Sequence, residues 1–142
     1  MGFYATRWLR EARENINACS EQVAGTNPSD GGEFEKVATA VENSIKAALI
    51  ESHGSIPQDC DHKRFVAICQ TTGVWEVLPP VLRNLVQEVE SYRTGTQCDM
   101  RGSAGSSPEQ LQKYSFIARR LIDYMEHHVI GNDSVLKRLK VA

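Results

Sequence analysis

The sequence predicts an all-α protein, an up-and-down bundle of four long helices plus one or two short ones. Three observations predict it. Apolar residues recur at three- and four-residue steps along four long stretches, the mark of one buried helical face. No stretch alternates polar and apolar residues as a half-buried strand does. Capping and turn-forming residues punctuate the chain between the periodic stretches.

The first helix is expected over about 3–22, with Tyr4, Trp8, Ala12, Ile16 and Cys19 facing inward and Arg7, Arg10, Arg13 and Glu14 opposite. Residues 25–32 read GTNPSDGG, a connection dense in turn formers. Asp30 and Glu33 have the spacing of a capping box and open the second helix, over about 32–52. Phe34, Val37, Ala38, Val41, Ile45, Ala48 and Leu49 form its apolar face, and its alanines keep it slim enough for close helix approach. Gly54 ends it. Asp61 is placed to cap a short third helix, about 62–71, with Phe65, Ile68 and Cys69 inward and Gly73 as the breaker. Pro80 fits the first turn of the next helix, which carries Leu82, Leu85, Val86 and Val89 and ends near Tyr92. Residues 93–107 show no pattern. Ser107, Pro108 and Gln110 then supply N-cap, N1 and N3 of the last helix, about 108–130, lined by Leu111, Tyr114, Ile117, Ala118, Leu121, Ile122 and Met125. Gly131 and Asn132 are expected to stop it, leaving a short basic tail from about 131 with Lys137, Arg138 and Lys140.

The 142 residues fit a single domain over 1–142, and 41% hydrophobic with 24% charged residues is an ordinary globular composition. Sixteen Lys and Arg against 18 Asp and Glu give a net charge of −2, which excludes a uniformly basic coat for non-specific nucleic-acid binding but leaves room for a local basic face. No apolar run approaches the roughly 20 residues needed to cross a bilayer, so no membrane association is expected. Arg7 and Arg10 stand where a secretory leader would be apolar. The four cysteines, Cys19, Cys60, Cys69 and Cys98, form no Cys-x-x-Cys pair and suit neither a disulfide scaffold nor a zinc site. Cys19 and Cys69 fall on inward faces as small core residues, and a reducing cytoplasm is expected. There is no phosphate loop of the Gly-x4-Gly-Lys type and no carboxylate–histidine cluster, and the adjacent His127 and His128 face different directions on a regular helix. Neither a metal nor another cofactor is expected.

Three stretches give the chain its resemblance to the HEPN family (higher eukaryote and prokaryote nucleotide-binding). Trp8, Leu9, Arg10, Glu11, Ala12, Arg13, Glu14 and Asn15 are similar to the family's opening helix. Residues 40–50, AVENSIKAALI, resemble its alanine- and lysine-bearing second helix, followed by Gly54, Pro57 and an Asp61–His62 step like the family's Thr-His-Asp corner. Tyr92 ends a later helix where many members carry a tyrosine. Thr96, Gln97, Cys98 and Asp99 depart from the family's Arg-Tyr pair beyond it. The resemblance implies a helical bundle that often forms a homodimer and pairs with a small nucleotidyltransferase, as in toxin–antitoxin modules. It also implies a nucleotide or RNA ligand, and in some members metal-independent ribonuclease activity.

Those ribonucleases use an Arg-x4-6-His motif in the last helix, and Arg120 and His127, with six residues between them, have its longest spacing. Positions seven apart fall about 20° from the same helical face, so both side chains can address one phosphate. Arginine can hold a phosphodiester bidentately and stabilise its developing charge. Histidine can serve as acid or base toward a 2′-hydroxyl. The alternative is a solvated arginine and a histidine complementing the helix dipole. Lys46, His62 and Arg93 are further candidates for holding a nucleotide or phosphate. For these the alternatives are a lysine stem packed along a helix, a histidine cap and a charged helix end. Three functions therefore stand open: a binding or regulatory module with a nucleotidyltransferase partner, a ribonuclease acting through Arg120 and His127, and a structural helical bundle whose dimer seam is its only interface.

Overall fold

Where the apolar periodicity runs, helices form, and turn residues separate them. The computed structural model describes residues 2–25, 32–56, 64–95, 100 and 108–141. All regular structure among them is helical: α1 (Phe3–Gly25), α2 (Gly32–His53), α3 (Phe65–Thr72), α4 (Val74–Val77), α5 (Pro80–Thr94), α6 (Pro108–Tyr124) and α7 (Asp133–Val141). α6 runs on without a break into a π turn over Met125–Ile130.

Contacts at the helix ends set the chain directions. The Gly2 amide donates to the Glu51 carboxylate at 2.9 and 3.2 Å, while the Cys19 thiol meets the Glu33 carbonyl at 3.7 Å, so α1 and α2 are antiparallel. Cys19 lies 3.3 Å from Ser115 and Arg13 lies 2.9 Å from Asp123, which makes α1 and α6 antiparallel as well. α5 begins beside the end of α6, where the Tyr124 hydroxyl donates to the Val77 carbonyl at 2.6 Å. The four long helices thus alternate in direction, as the all-α bundle requires.

α2 is the central element and packs against α1, α3, α5, α6, α7 and the π turn. Ala38, Ala40, Ala47 and Ala48 are fully buried on it, so the small side chains do bring neighbours close on several sides. One continuous core runs from Ala5 to Leu139 and encloses Ile16, Phe34, Ile45, Phe65, Leu85 and Leu121. Burying each large side chain stabilises the fold by about 1.5–3 kcal/mol. Cys19 and Cys69 are buried in it with free thiols, as their positions predicted.

Three features differ from the sequence reading. The buried stripe of α1 is Ala5, Leu9, Ala12, Ile16 and Cys19, whereas Tyr4 is 60% exposed. Tyr4 and Ala5 are neighbours that both continue the three–four rhythm, and the core takes the smaller one. The third helix starts at Phe65, after Arg64, rather than at 62. Asp61, Asp30 and Ser107, assigned as caps, lie outside the described residues. Most substantially, the stretch read as a basic tail forms α7, with Lys137 and Arg138 exposed on it. The Asn132 side-chain oxygen accepts from the Ser134 and Val135 amides at 3.1 and 3.3 Å and caps the helix. Val135, Leu136 and Leu139 are buried, and α7 docks on α2 and the π turn.

Candidate functional site

The end of α6 is built differently from the rest of the bundle. The Gly131 amide reaches back five residues to the Glu126 carbonyl at 2.9 Å, closing a turn wider than an α-helical one. Residue 131 must be small for this: a Cβ there would stand 2.6 Å from that same backbone oxygen. Such π turns recur at functional sites because the extra residue re-aims the side chains around it. Here His127 and His128, both within the π turn, line one cleft.

That cleft, about 310 Å³, opens between the start of α5 and the end of α6. Pro79, Val81 and Leu82 give it an apolar wall, and Arg120, Asp123, Tyr124, His127 and His128 give the other. Arg120 is exposed, makes no ion pair among the described residues, and holds its guanidinium 6.0 Å from the Phe116 ring centre. The His127 side chain is 68% exposed, with Nε2 3.6 Å from a Glu126 carboxylate oxygen. The His128 ring packs on Tyr124 at 5.1 Å between centres, and the Tyr124 hydroxyl is fixed by Val77. Two of these side chains are therefore preset: Tyr124 by its hydrogen bond and His128 by the ring it leans on.

Behind the cleft, Arg13 of α1 donates to Asp123 at 2.9 Å and to Glu126 in a second, shorter contact. Burial would lower the Arg13 pKa, but these two side-chain hydrogen bonds outweigh it and raise the pKa, so the group stays charged. The clamp ties the end of α6 to α1 across 110 positions of sequence.

Of the five residues singled out in the sequence, Arg120 and His127 meet in the cleft. Lys46 and Arg93 do not line it. Lys46 is half-buried on α2 with its ammonium 5.2 Å over the Trp8 ring, a packed stem with a cation–π cap. Arg93 is spent on the protein: it donates to Glu42 at 2.7 and 3.2 Å, to Thr39 at 3.3 Å and to Glu35. Burial pulls its pKa down, but hydrogen bonds to Glu42 and Glu35 prevail and push it above the usual arginine value. Arg93, a candidate for holding phosphate, forms an interhelical clamp with both carboxylates in its fork. His62 lies outside the described residues. Sequence reasoning missed Tyr124, His128 and Arg13. The first two were legible only as neighbours of the Arg–His pair, and nothing local to Arg13 points to partners so far along the chain. No group of three or more metal-ligating side chains occurs among the described residues, and no helix there is long and apolar enough to cross a membrane.

Compared with known proteins, the chain matches no family model, no curated protein and no solved structure.

Proposed function

We propose that this protein is a HEPN-like binding and regulatory module that holds the phosphate of a nucleotide or an RNA strand in the Arg120–His127 cleft. The observation that carries this reading is the convergence of one arginine and two histidines on a single cleft with an apolar opposite wall. The planar guanidinium fork can hold two phosphate oxygens at once, the imidazoles add donors, and the apolar wall suits the face of a base or sugar. On this reading the protein acts as a homodimer beside a small nucleotidyltransferase in a toxin–antitoxin-like module, as its likeness to HEPN sequences suggests. Removing one charge-assisted contact costs about 1.5–3 kcal/mol, so Arg120→Ala weakens binding of a labelled single-stranded RNA by at least about ten-fold.

A second reading, metal-independent ribonuclease, is favoured by one feature: two imidazoles line the same cleft as the guanidinium. Arg120 would hold the phosphodiester while one imidazole takes the 2′-hydroxyl proton. The 2′-oxygen would attack phosphorus, and the other imidazole would protonate the departing 5′-oxygen, leaving a 2′,3′-cyclic phosphate. The experiment is incubation of a mixed single-stranded RNA pool with EDTA present, using parent, Arg120→Ala and His127→Ala. Cleavage abolished by both substitutions, with helicity unchanged, establishes the ribonuclease. Binding without cleavage establishes the module. Neither binding nor cleavage by the parent retires the cleft.

A further inference from the structure

The cleft presents a problem for any anion. Asp123 lines it directly and Glu126 lies 3.6 Å from His127, so two carboxylates border the place where a phosphate would sit. Against them the cleft wall offers one permanent cation, Arg120. On that wall Arg120 and Asp123 cancel, and Glu126 beside His127 brings the three charges to −1, so an anion is repelled near a low-dielectric surface. Arg13 brings the count to zero. It stands on another helix, does not line the cleft, and binds both carboxylates.

We propose that Arg13 makes the cleft permissive for an anion: by neutralising Asp123 and Glu126 it lifts the local charge from −1 to zero and leaves Arg120 unopposed, where without it the two carboxylates would favour a divalent cation. This rests on the anion-binding reading above. Arg13 touches no ligand in this scheme and is a positioning residue. One of its two hydrogen bonds holds Glu126, the carboxylate beside the His127 ring, so the imidazole meets a partner already engaged. The charged and titratable groups around that ring are Glu126, Arg13, Arg120, Asp123, Tyr124 and His128. The facing side contributes Pro79, just before α5, and Val81 and Leu82 within it, none of them charged.

The test uses the full chain with two probes, inorganic pyrophosphate by calorimetry and Mn²⁺ by its paramagnetic broadening of the His127 ring signals. In Arg13→Ala, pyrophosphate binding falls by about ten-fold or more and Mn²⁺ broadens His127, which it does not do in the parent. Arg13→Lys, which keeps the charge, recovers most of the pyrophosphate affinity. In a D123N/E126Q background, where there is nothing left to neutralise, adding Arg13→Ala changes pyrophosphate affinity by less than about two-fold. An equal loss in that background, or no loss in Arg13→Ala alone, overturns the proposal. If the parent fails to bind pyrophosphate, the anion-binding reading falls by itself. The Mn²⁺ measurement then decides the role of Arg13, since unchanged His127 signals in Arg13→Ala refute it. Should Arg13→Ala lose helicity, Arg13→Gln, which keeps the bulk and removes the charge, is read in its place.

Discussion

Two arginines in this bundle do the same chemistry in different surroundings. Arg93 grips Glu35 and Glu42, and Arg13 grips Asp123 and Glu126. Each crosses from one helix to another, and each is held charged by its two carboxylates. The Arg93 side chain is 13% exposed and its partner Glu42 8%, whereas the Arg13 side chain is 39% exposed. The first clamp joins α5 to α2, and none of its residues lines the cleft. The second backs directly onto a cleft. An arginine between two carboxylates is therefore not a functional signal in itself. What distinguishes the two is whether one of the carboxylates also faces a space that a ligand can enter.

The comparison sharpens first on stability, where the enclosed clamp must matter more. Arg93→Ala leaves Glu42 buried and uncompensated and should lower stability by about 3 kcal/mol in denaturant unfolding. Replacing the pair together, Arg93→Met with Glu42→Leu, should recover most of that loss, because the cost lies in the orphaned charge. If Arg93→Ala is neutral, the distinction between the two clamps collapses.

Gly131→Ala comes next. Its Cβ meets the Glu126 carbonyl inside normal contact distance, so the π turn must shift, at a cost of about 1–3 kcal/mol. Since the same turn aims His127, RNA binding should fall along with thermal stability, whereas Arg93→Ala should leave binding by the folded fraction intact. Arg13→Ala is expected to lower stability by no more than about 1 kcal/mol, as for most solvent-bathed ion pairs, while its effect on anion binding is large. Equal stability losses at Arg13 and Arg93 would remove the contrast.

The smallest effect belongs to an uncharged pair. Cys19 is buried against Ser115; burial pushes its thiol pKa up, and the Ser115 hydrogen bond only partly offsets this. The folded state therefore resists forming the thiolate. That stability contribution is full below the ordinary thiol pKa and is lost as pH rises above it, since the unfolded chain ionises first. Stability measured from pH 8 to 10 should decline in the parent and decline less in Cys19→Ala, with each variant compared to its own value at pH 8.

Most of the fold was legible because it rests on local rules. The stripes of α2, α5 and α6 follow the apolar spacing, and Pro80 stands at the first turn of α5 as its chemistry demands. α7 was legible too, in the Asn132 cap and in Val135, Leu136 and Leu139, but the cations between them drew the reading toward a tail. The Arg120–His127 pair was visible through its spacing. The π turn was not, since nothing in the residues 125–130 departs from an ordinary helical pattern. The two clamps were invisible for another reason: their partners lie 51 to 113 positions away, and only the packed bundle joins them.

The assignment of the cleft is tested most directly by recording nitrogen-15 spectra of the histidine rings and arginine Nε groups while adding a five-nucleotide single-stranded RNA. If the cleft is the site, His127, His128 and Arg120 shift together and saturate, while Arg93 stays still. Movement centred on Lys46 and Trp8, with Arg120 and His127 unmoved, would contradict it and place the ligand on the α1–α2 face instead.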